Sequence, residues 1–198
     1  MKEKIYSSLK FLLLMTILTG VIYPLFMTLI AQIFFSDKAN GSLYRINGEV
    51  RGSFLLSQNF TDSIYFHSRP SAINYNPMPS GASNLGLTSK LLHQQFEERK
   101  INFAASNSLI MEEQIPSEML FASASGVDPH ISLKAAYLQI PRIVRARNLD
   151  SKFLNNIYKL VDDNIEKADF GILGVERVNV LKLNILLDNL DKQWKNQK

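Results

Sequence analysis

The stretch that decides the architecture is FLLLMTILTGVIYPLFMTLIAQIFF, residues 11–35, which contains no Asp, Glu, Lys, Arg or His. A helix over these residues would be roughly 37 Å long, because an α-helix rises about 1.5 Å per residue. The hydrocarbon core of a bilayer is about 30 Å thick, and about 20 apolar residues cross it. The stretch therefore predicts one membrane-spanning helix.

Two other interpretations of this run must be weighed. A cleavable signal peptide has an apolar region of only about 7–15 residues and then small residues at its cleavage site. Here the run is longer, and the following SDKANG, residues 36–41, offers no clear pair of small residues at that spacing. A buried helix of a soluble protein usually carries polar residues along one face, whereas polar residues are sparse in this run. The sequence favours an uncleaved anchor.

The lysines that flank the run predict its orientation. Lys2, Lys4 and Lys10 precede it, and only Lys38, beside Asp37, follows closely. Lysine and arginine accumulate on the cytoplasmic side of membrane helices. We therefore expect residues 1–10 to be a cytoplasmic N-terminus, residues 11–35 a transmembrane helix and residues 36–198 an extracytoplasmic domain.

Gly20, Tyr23 and Pro24 lie within the run. Small residues let membrane helices approach closely, and a proline frees a carbonyl group that a neighbouring helix can satisfy. Both features indicate partner helices, although glycine and proline are also simply common in membrane helices.

Composition limits the functions that residues 36–198 could have. The chain has 198 residues and a net charge of +4, and three of its 22 basic and one of its 18 acidic residues precede the apolar run. The outer part is therefore close to neutral, which argues against nucleic-acid binding. It is long enough for one domain with a real core. The absence of cysteine excludes disulfides, thiolate chemistry and cysteine-based zinc sites.

Short predicted strands alternate with helices, which indicates an α+β fold. Asn47-Gly48 predicts a tight turn between strands at residues 44–46 and 49–51. Further strands are predicted at residues 52–58, 119–123 and 178–181.

Four helices are expected in the outer domain. The first follows a cap at Thr88 and runs to about Asn107, and the second covers residues 133–147 with a kink or break near Pro141. The third begins at Asp150 or Ser151 with an apolar stripe, and the fourth covers residues 183–194. Residues 111–116 are predicted to be a linker.

A loop rich in Ser, Pro, Asn and Gly occupies residues 68–89. Loops of this length inside a compact domain are usually functional or disordered. Tyr75, Leu85 and the prolines argue for an ordered loop packed on the domain, and a flexible surface loop is the alternative.

Residues 123–132, SASGVDPHIS, contain Ser125, Asp128 and His130, which could be imagined as a nucleophile, an acid and a base. Hydrolase triads are assembled from separate parts of a fold, so three members within six residues are poorly placed for that chemistry. A turn stabilised by Asp and His hydrogen bonds, or a docking surface made by the same turn, is the better interpretation. Gly126 is expected to supply unusual backbone angles, and Ser132 to cap the next helix.

Other candidate chemistry is weak. His67, His93 and His130 do not stand at a metal-ligand spacing, and the chain has neither a phosphate-binding loop nor a GxGxxG sequence. Arg142, with its neighbours at positions 145 and 147, forms a basic cluster that could meet anionic lipid or a partner carboxylate. A solvated helix face is the default interpretation.

The residues alone favour an accessory or binding protein, with a membrane-anchored extracytoplasmic sensor or hydrolase as alternatives.

Seven short motifs, in order along nearly the whole chain, resemble one family. They are Gly20-x-x-Tyr23-Pro24-Leu25, Gly52-Ser53-x-Leu55-x-x-Gln58-x-Phe60, Tyr65-Phe66-x-x-Arg69-Pro70-Ser71-Ala72, Ser80-Gly81-x-Ser83-Asn84-Leu85-Gly86, Ser123-x-Ser125-Gly126-x-Asp128-Pro129-His130-Ile131-Ser132, Gln139-x-Pro141-Arg142 and Val178-Asn179-Val180-Leu181-x-Leu183-Asn184. Together they resemble KdpC, the small-subunit family of the bacterial potassium-transporting P-type ATPase. Ala82, Leu87, Val127 and Leu133 depart from the family pattern.

The resemblance implies a non-catalytic subunit of an ATP-driven, high-affinity potassium uptake complex. Its implied partners are a channel-like potassium-translocating subunit, a P-type ATPase catalytic subunit and a very small membrane subunit. The implied role is assembly and stabilisation of the complex, with gating of ion entry or help with ATP use also proposed in the family. The chain would have no cofactor of its own, whereas the whole complex uses ATP, magnesium and potassium.

The resemblance also suggests site residues. The family's nucleotide proposal falls on Gln58, but the expected outer location of Gln58 argues against contact with cytoplasmic ATP, and we expect it to satisfy backbone groups at the end of its strand. No catalytic or metal-binding residue is expected. Residues expected to contact a partner are Gly20, Tyr23, Pro24, Arg69, Pro70, Ser83, Asn84, Gly86, Ser125, Gly126, Asp128, Pro129, His130 and Arg142.

Overall fold

The computed structural model describes residues 2–109 and 115–195, and most of the predicted linker at 111–116 lies outside the described residues. The chain divides into two compact units, the first ending at Leu43 and the second beginning at Tyr44. The mixture of helices and short strands confirms the predicted α+β class.

The first unit is dominated by one apolar helix of 33 residues, Lys2–Phe34. It consists of α1 (Lys2–Ile17), a π-helical turn (Leu18–Ile22) and α2 (Tyr23–Phe34), and none of their residues is buried within the chain. This helix is long and apolar enough to cross a membrane, as the sequence predicts. A short helix, α3 (Ser36–Ala39), follows it.

The π-helical turn lies directly before Pro24, for a steric reason. Proline has no backbone N–H, and in a regular α-helix its ring clashes with the carbonyl group four residues earlier, here that of Gly20. The wider turn relieves this conflict, and its last hydrogen bond runs from the Tyr23 N–H to the Leu18 carbonyl. The proline therefore widens the helix without ending it.

The second unit begins with the predicted hairpin, β1 (Leu43–Ile46) and β2 (Glu49–Ser53). Asn47 and Gly48 form its turn with φ angles of 52° and 84°, the positive values that this dipeptide accommodates. The predicted strand at residues 52–58 is wrong beyond Ser53. The Ser53 hydroxyl oxygen accepts a hydrogen bond from the Leu55 N–H at 3.1 Å, and the chain turns there.

In the described part of the second unit, the remaining elements are four helices, one 3₁₀ turn and one strand pair. They are α4 (Lys90–Asn107), the 3₁₀ turn (Ser117–Met119), β3 (His130–Ile131), α5 (Leu133–Ala146), α6 (Ser151–Asp162), β4 (Val178–Asn179) and α7 (Val180–Lys195). β3 and β4 pair antiparallel, with His130 opposite Asn179. α5 packs against α4 and α6, and α6 packs against α7.

The core lies between these helices. Its side chains with no solvent exposure are Phe66, Ala135, Ala136, Ile140, Ile143, Phe153, Ile157, Val161, Val178, Leu183 and Leu187. Most come from the apolar stripes of α5, α6 and α7, so the helical periodicity in the sequence identifies the core-facing sides correctly.

Helix termini show which capping predictions hold. Ser132 and Asp150 cap α5 and α6 as expected, each accepting from a backbone N–H three residues on. Ser89, rather than Thr88, caps α4. Strand β4 ends at Asn179, and α7 begins at Val180, three residues earlier than predicted. The side-chain oxygen of Asn179 accepts from the Lys182 N–H at 3.1 Å and so caps the helix there.

Two further predictions are wrong. Of the kink or break predicted near Pro141, the break is wrong, because α5 continues through the proline with buried residues on both sides of it, and the kink stays a prediction. Residues 119–123 are not a strand. Their backbone groups bond elsewhere: the Leu120 carbonyl accepts from Arg99 at 3.0 Å, and the Ser123 N–H donates to the Pro70 carbonyl at 3.0 Å.

Phe66 and His67 connect this helical core to the loop beyond them. They belong to no helix or strand, yet two side-chain amides hold their backbone groups. Asn184 accepts from the Phe66 N–H at 2.8 Å and donates to the Phe66 carbonyl at 3.0 Å. Gln139 accepts from the His67 N–H at 2.7 Å and donates to the His67 carbonyl at 3.3 Å. The two amides replace the partners that a neighbouring strand would supply.

Replacing Asn184 with leucine should destabilise the second unit. Leucine has a similar size but cannot bond, so the N–H and carbonyl of Phe66 would lose partners in a buried place. The expected loss is about 2–6 kcal/mol in the free energy of unfolding, since each of the two unsatisfied buried groups costs about 1–3 kcal/mol. Denaturant unfolding of the full chain in detergent measures it. Asn189→Leu, at an exposed position of the same helix, is the control, and equal losses in both variants would contradict the prediction.

Candidate interaction surface

The long loop and the 123–132 turn pack against each other. The Ser123 N–H donates to the Pro70 carbonyl at 3.0 Å, and the Gly81 N–H donates to the Ser125 carbonyl at 3.3 Å. Within the loop, the Tyr75 hydroxyl donates to the Arg69 carbonyl at 2.9 Å. Of the two alternatives from the sequence, the structure therefore shows a packed loop. We call residues 69–86 together with 123–132 the loop–turn surface.

Gly126 makes this packing possible. Its φ angle is +73°, which side-chain-bearing residues rarely adopt. A Cβ atom there would lie 2.4 Å from Cγ1 of Ile73 and 2.9 Å from the Gly81 carbonyl oxygen. Only glycine lets the turn approach the loop this closely, and the predicted unusual backbone angles are confirmed.

A charged cluster closes the surface at Asp128. Arg69 donates to its carboxylate at 2.8 Å, the His130 backbone N–H donates at 3.0 Å, and the His130 ring lies 3.6 Å away. Burial alone would raise the pKa of Asp128, but the hydrogen bonds from His130 and Arg69 outweigh it and lower the pKa to about 2. Asp128 is therefore a structural anion that holds loop and turn together.

These contacts do not assemble the imagined triad. The Ser125 hydroxyl oxygen accepts from the Val127 N–H at 3.2 Å, as in a local turn. Nε2 of His130 lies 3.2 Å from a carboxylate oxygen of Glu166. The His130 ring therefore lies between two carboxylates, and the interpretation as a hydrogen-bonded turn is confirmed.

The default interpretation of the basic cluster is wrong for two of its three arginines. The Arg147 side chain is only 5% exposed and pairs with Asp188 at 2.7 Å and Asp191 at 3.2 Å. It also donates to the Ile64 carbonyl at 2.8 Å. Arg145 alone remains on the exposed face.

Arg142 is only 4% exposed and serves the backbone of the Tyr65–His67 segment. It donates to the Tyr65 carbonyl at 2.7 Å, to the Gln139 side-chain oxygen at 2.9 Å and to Nδ1 of His67 at 2.7 Å. Burial lowers the pKa of Arg142 to about 10, so it remains charged at neutral pH. Its role in this chain is internal support.

His67 must be neutral in this arrangement. Its Nδ1 atom accepts from Arg142, and its Nε2 atom lies 3.0 Å from the Asp62 carbonyl oxygen, to which it donates. Burial, together with the positive charge of Arg142, lowers the pKa of His67 from 6.5 to about 4.

Acid should therefore destabilise the folded domain through His67. Below pH 6.5 the His67 ring binds a proton in the unfolded chain, whereas in the folded chain it binds one only below about pH 4. The contribution of His67 to stability is thus complete above pH 6.5 and is lost as pH falls, at up to about 1.4 kcal/mol per pH unit. Denaturant unfolding at a series of pH values from 7.5 to 4 gives the free energy of unfolding as a function of pH. This free energy should fall less steeply with decreasing pH for His67→Gln than for the wild type. His93→Gln, at an exposed position, should keep the wild-type slope. A wild-type slope in both variants would show that His67 does not titrate in this way.

Gln58 lies just after the hairpin. Its side-chain amide donates to the Arg51 carbonyl at 3.1 Å, so it satisfies a backbone group of β2, as expected from the sequence. A Cβ atom on Gly52 would lie 1.9 Å from Nε2 of Gln58, so a larger residue there would displace the Gln58 amide from this bond. A nucleotide-binding role for Gln58 stays untested by these contacts.

The other predicted contact residues divide by location. Gly20, Tyr23 and Pro24 belong to the first unit, where they are exposed. In the loop–turn surface the exposed residues are Ser83, Asn84, Gly86 and Ser125, and the partly exposed ones are Arg69, Pro70, Asp128 and His130. Gly126, Pro129 and Arg142 are buried and support the surface from beneath. Contact of any of these residues with a partner stays a prediction.

Sequence reasoning missed three residues that organise the site. Gln139 and Asn184 bind the Phe66–His67 backbone, and Glu166 contacts His130. Gln139 and Asn184 had a usable signal, since each is an amide standing at a core-facing position of an apolar helical stripe. Glu166 had none, because a bridge with Arg177 brings it to His130 from a distant part of the sequence.

Fold and surface together define a class of protein. A helix apolar on all sides precedes an α+β domain whose polar loops are held rigidly by internal pairs. In residues 2–109 and 115–195, no group of three or more His, Cys, Asp or Glu side chains could hold a metal ion. A membrane-length apolar helix followed by a domain with ordered polar loops is typical of a membrane-associated binding or accessory protein.

Comparison with known proteins gives the family. The family model described as KdpC, K⁺-transporting ATPase, c chain, matches residues 5–189. The potassium-transporting ATPase KdpC subunit of Caldanaerobacter subterraneus subsp. tengcongensis is 40% identical over 196 residues, covering 98% of this chain and all of its own. The KdpC subunit of Yersinia enterocolitica is 43% identical over 180 residues, or 89% and 88% of the two chains. That of Mycobacterium tuberculosis is 38% identical over 192 residues, or 96% and 100%.

The chain belongs to the KdpC family. Its members are accessory subunits of the potassium-transporting ATPase, in which KdpB carries the catalysis. Membership implies a place in a multi-subunit membrane complex that transports potassium.

Proposed function

We propose that this chain assembles and stabilises an ATP-driven, high-affinity potassium uptake complex by docking at two places. The apolar helix Lys2–Phe34 packs against partner helices near Gly20 and Pro24, and the loop–turn surface contacts a partner outside the membrane. The observation that carries the proposal is the helix, since none of its residues is buried within its own chain. A plain anchor would need neither the glycine nor the π-helical turn that its proline requires.

The proposal includes an orientation. The three lysines at the start of the helix support a cytoplasmic N-terminus in the bacterial cell, and with it an extracytoplasmic α+β domain. Its partners are the channel-like potassium-translocating subunit, the P-type ATPase catalytic subunit and a very small membrane subunit. Held rigidly over the translocating subunit, the loop–turn surface would also restrict entry of ions.

In this proposal the ATP, magnesium and potassium are used by the complex, and the chain has no cofactor of its own. The hydrogen bond from the Gln58 amide to the Arg51 carbonyl supports the absence of a nucleotide on this chain, because that amide already stabilises the fold. Asp128 likewise has its charge matched within the chain by Arg69. Any effect of this subunit on ATP use would therefore act through contacts with other subunits.

Gly20→Leu should impair assembly without unfolding the chain. A Cβ atom at Gly20 has no neighbour within 4 Å in this chain, so leucine meets no obstacle there until a partner helix approaches. We expect severalfold less ATPase and translocating subunit to co-purify with the tagged variant in mild detergent, and an unchanged unfolding temperature of the free chain. Val21→Leu is the matched control on the neighbouring position. Normal complex yield with Gly20→Leu would contradict docking at this place.

Single cysteines can test the orientation, because the chain has no cysteine of its own. A membrane-impermeant maleimide applied to intact cells should label Thr88→Cys, in the α+β domain, and not Glu3→Cys at the N-terminus. Permeabilised cells should label both, which controls for reactivity. The opposite labelling would reverse the proposed orientation while leaving the family unchanged.

A further inference from the structure

The loop before β4 displays apolar side chains to solvent. Residues 168–175, ADFGILGV, which we call the apolar tip, carry Phe170 at 93% exposure, Ile172 at 81%, Val175 at 76% and Leu173 at 60%. Single exposed apolar residues are ordinary, but a cluster of this kind marks an interaction site.

The tip is an ordered hairpin. Asp169 and Leu173 exchange both backbone hydrogen bonds, each at 2.9 Å. Between them Phe170 and Gly171 have φ angles of +54° and +75°. Positive φ at two successive residues is the geometry that Asn-Gly adopts readily and that a bulky residue at the first position adopts at a cost. Phe170 therefore combines an unfavourable backbone conformation with a solvent-exposed ring, and neither feature stabilises the free chain.

The tip is continuous with the loop–turn surface. At its base Glu166 and Arg177 exchange backbone hydrogen bonds at 2.8 and 3.1 Å. The Glu166 carboxylate lies 3.3 Å from Nε of Arg177 and 3.2 Å from Nε2 of His130. A partner that covers the His130 side of the loop–turn surface would therefore meet the tip as well.

Charges around the tip indicate the chemistry of its partner. Lys167 and Arg177 are balanced by Asp169 and Glu176. A loop that inserts into an anionic lipid surface gains from an excess of lysine and arginine, and acidic residues beside its apolar side chains would be repelled. An apolar centre within a rim of mixed charges is instead the usual composition of a protein–protein interface.

We infer that the apolar tip is a docking element that inserts Phe170 into an apolar pocket on the extracytoplasmic face of another subunit of the same complex. This rests on the proposed function, because it needs the complex and the outer location of the domain. Phe170 is the anchor of the contact: a rigid, exposed aromatic ring at a hairpin end can fill a pocket with little loss of conformational freedom.

Phe170→Asn separates docking from folding. It creates no void, because the ring is solvent-exposed, and asparagine suits the positive φ, so the unfolding temperature of the free chain should stay the same or rise. Loss of an aromatic anchor should weaken association of the full-length chain with the other subunits by about thirtyfold in mild detergent. Ile101→Gln, which replaces an exposed aliphatic residue of α4, is the matched control and should leave association unchanged.

A photoreactive phenylalanine analogue at position 170 identifies the molecule that the ring meets. In membranes that contain the assembled complex, it should crosslink to another subunit. Crosslinking only to lipid, or only to a second copy of this chain, would overturn the inference, and so would unchanged association of Phe170→Asn. If the wild-type chain itself co-purifies with no other subunit, the proposed function fails and the inference fails with it. If the wild type and Phe170→Asn co-purify equally with the complex, only the inference fails.

Discussion

Two side-chain amides, those of Gln139 and Asn184, hold the backbone of Phe66 and His67, and the loop–turn surface depends on them. The Phe66–His67 segment lies in a long run without helix or strand, and its backbone groups face a core that offers no strand to pair with. Buried backbone groups need partners. The two amides supply all four bonds from α5 and α7, so an irregular segment becomes as well fixed as a strand.

This fixed segment positions the start of the long loop. Phe66 is fully buried, and His67 is locked as a neutral ring between Arg142 and the Asp62 carbonyl. Arg69, two residues further on, is aimed at Asp128, and their ion pair joins the long loop to the 123–132 turn. Burying arginine and histidine in this way brings little net stability. Its contribution is one defined arrangement of two loops that could otherwise adopt many.

The sequence predicted the elements whose signals are local. The membrane-length helix, the Asn-Gly hairpin, the caps at Ser132 and Asp150 and the apolar stripe of α6 each depend on residues within one or two turns of each other. The family, too, is recognisable from its ordered motifs, and Tyr75, Leu85 and the prolines correctly favour a packed long loop over a flexible one. The end of β2 at Ser53 and the cap at Ser89 are local errors of position, whereas the larger errors concern tertiary bonds. Residues 119–123 have the sequence pattern of a strand, but their backbone groups bond to Arg99 and Pro70 instead. Arg142 and Arg147 look solvated in the sequence, but in the fold they lie beside the Tyr65–His67 segment and α7.

The distribution of polar and apolar groups explains how such a domain can serve a complex. The ionic groups Asp128, Arg142 and Arg147 have their charges matched or their hydrogens donated within the chain. Among the described residues, two surfaces that the chain leaves uncovered are apolar: the sides of the long helix and the apolar tip with the ring of Phe170. Association through apolar burial and close packing is insensitive to salt, whereas exposed ion pairs are screened. In the proposed complex, a domain that lies outside the cell, where ionic conditions vary, would gain from contacting its partners through apolar surfaces while these three charges stabilise its own loops.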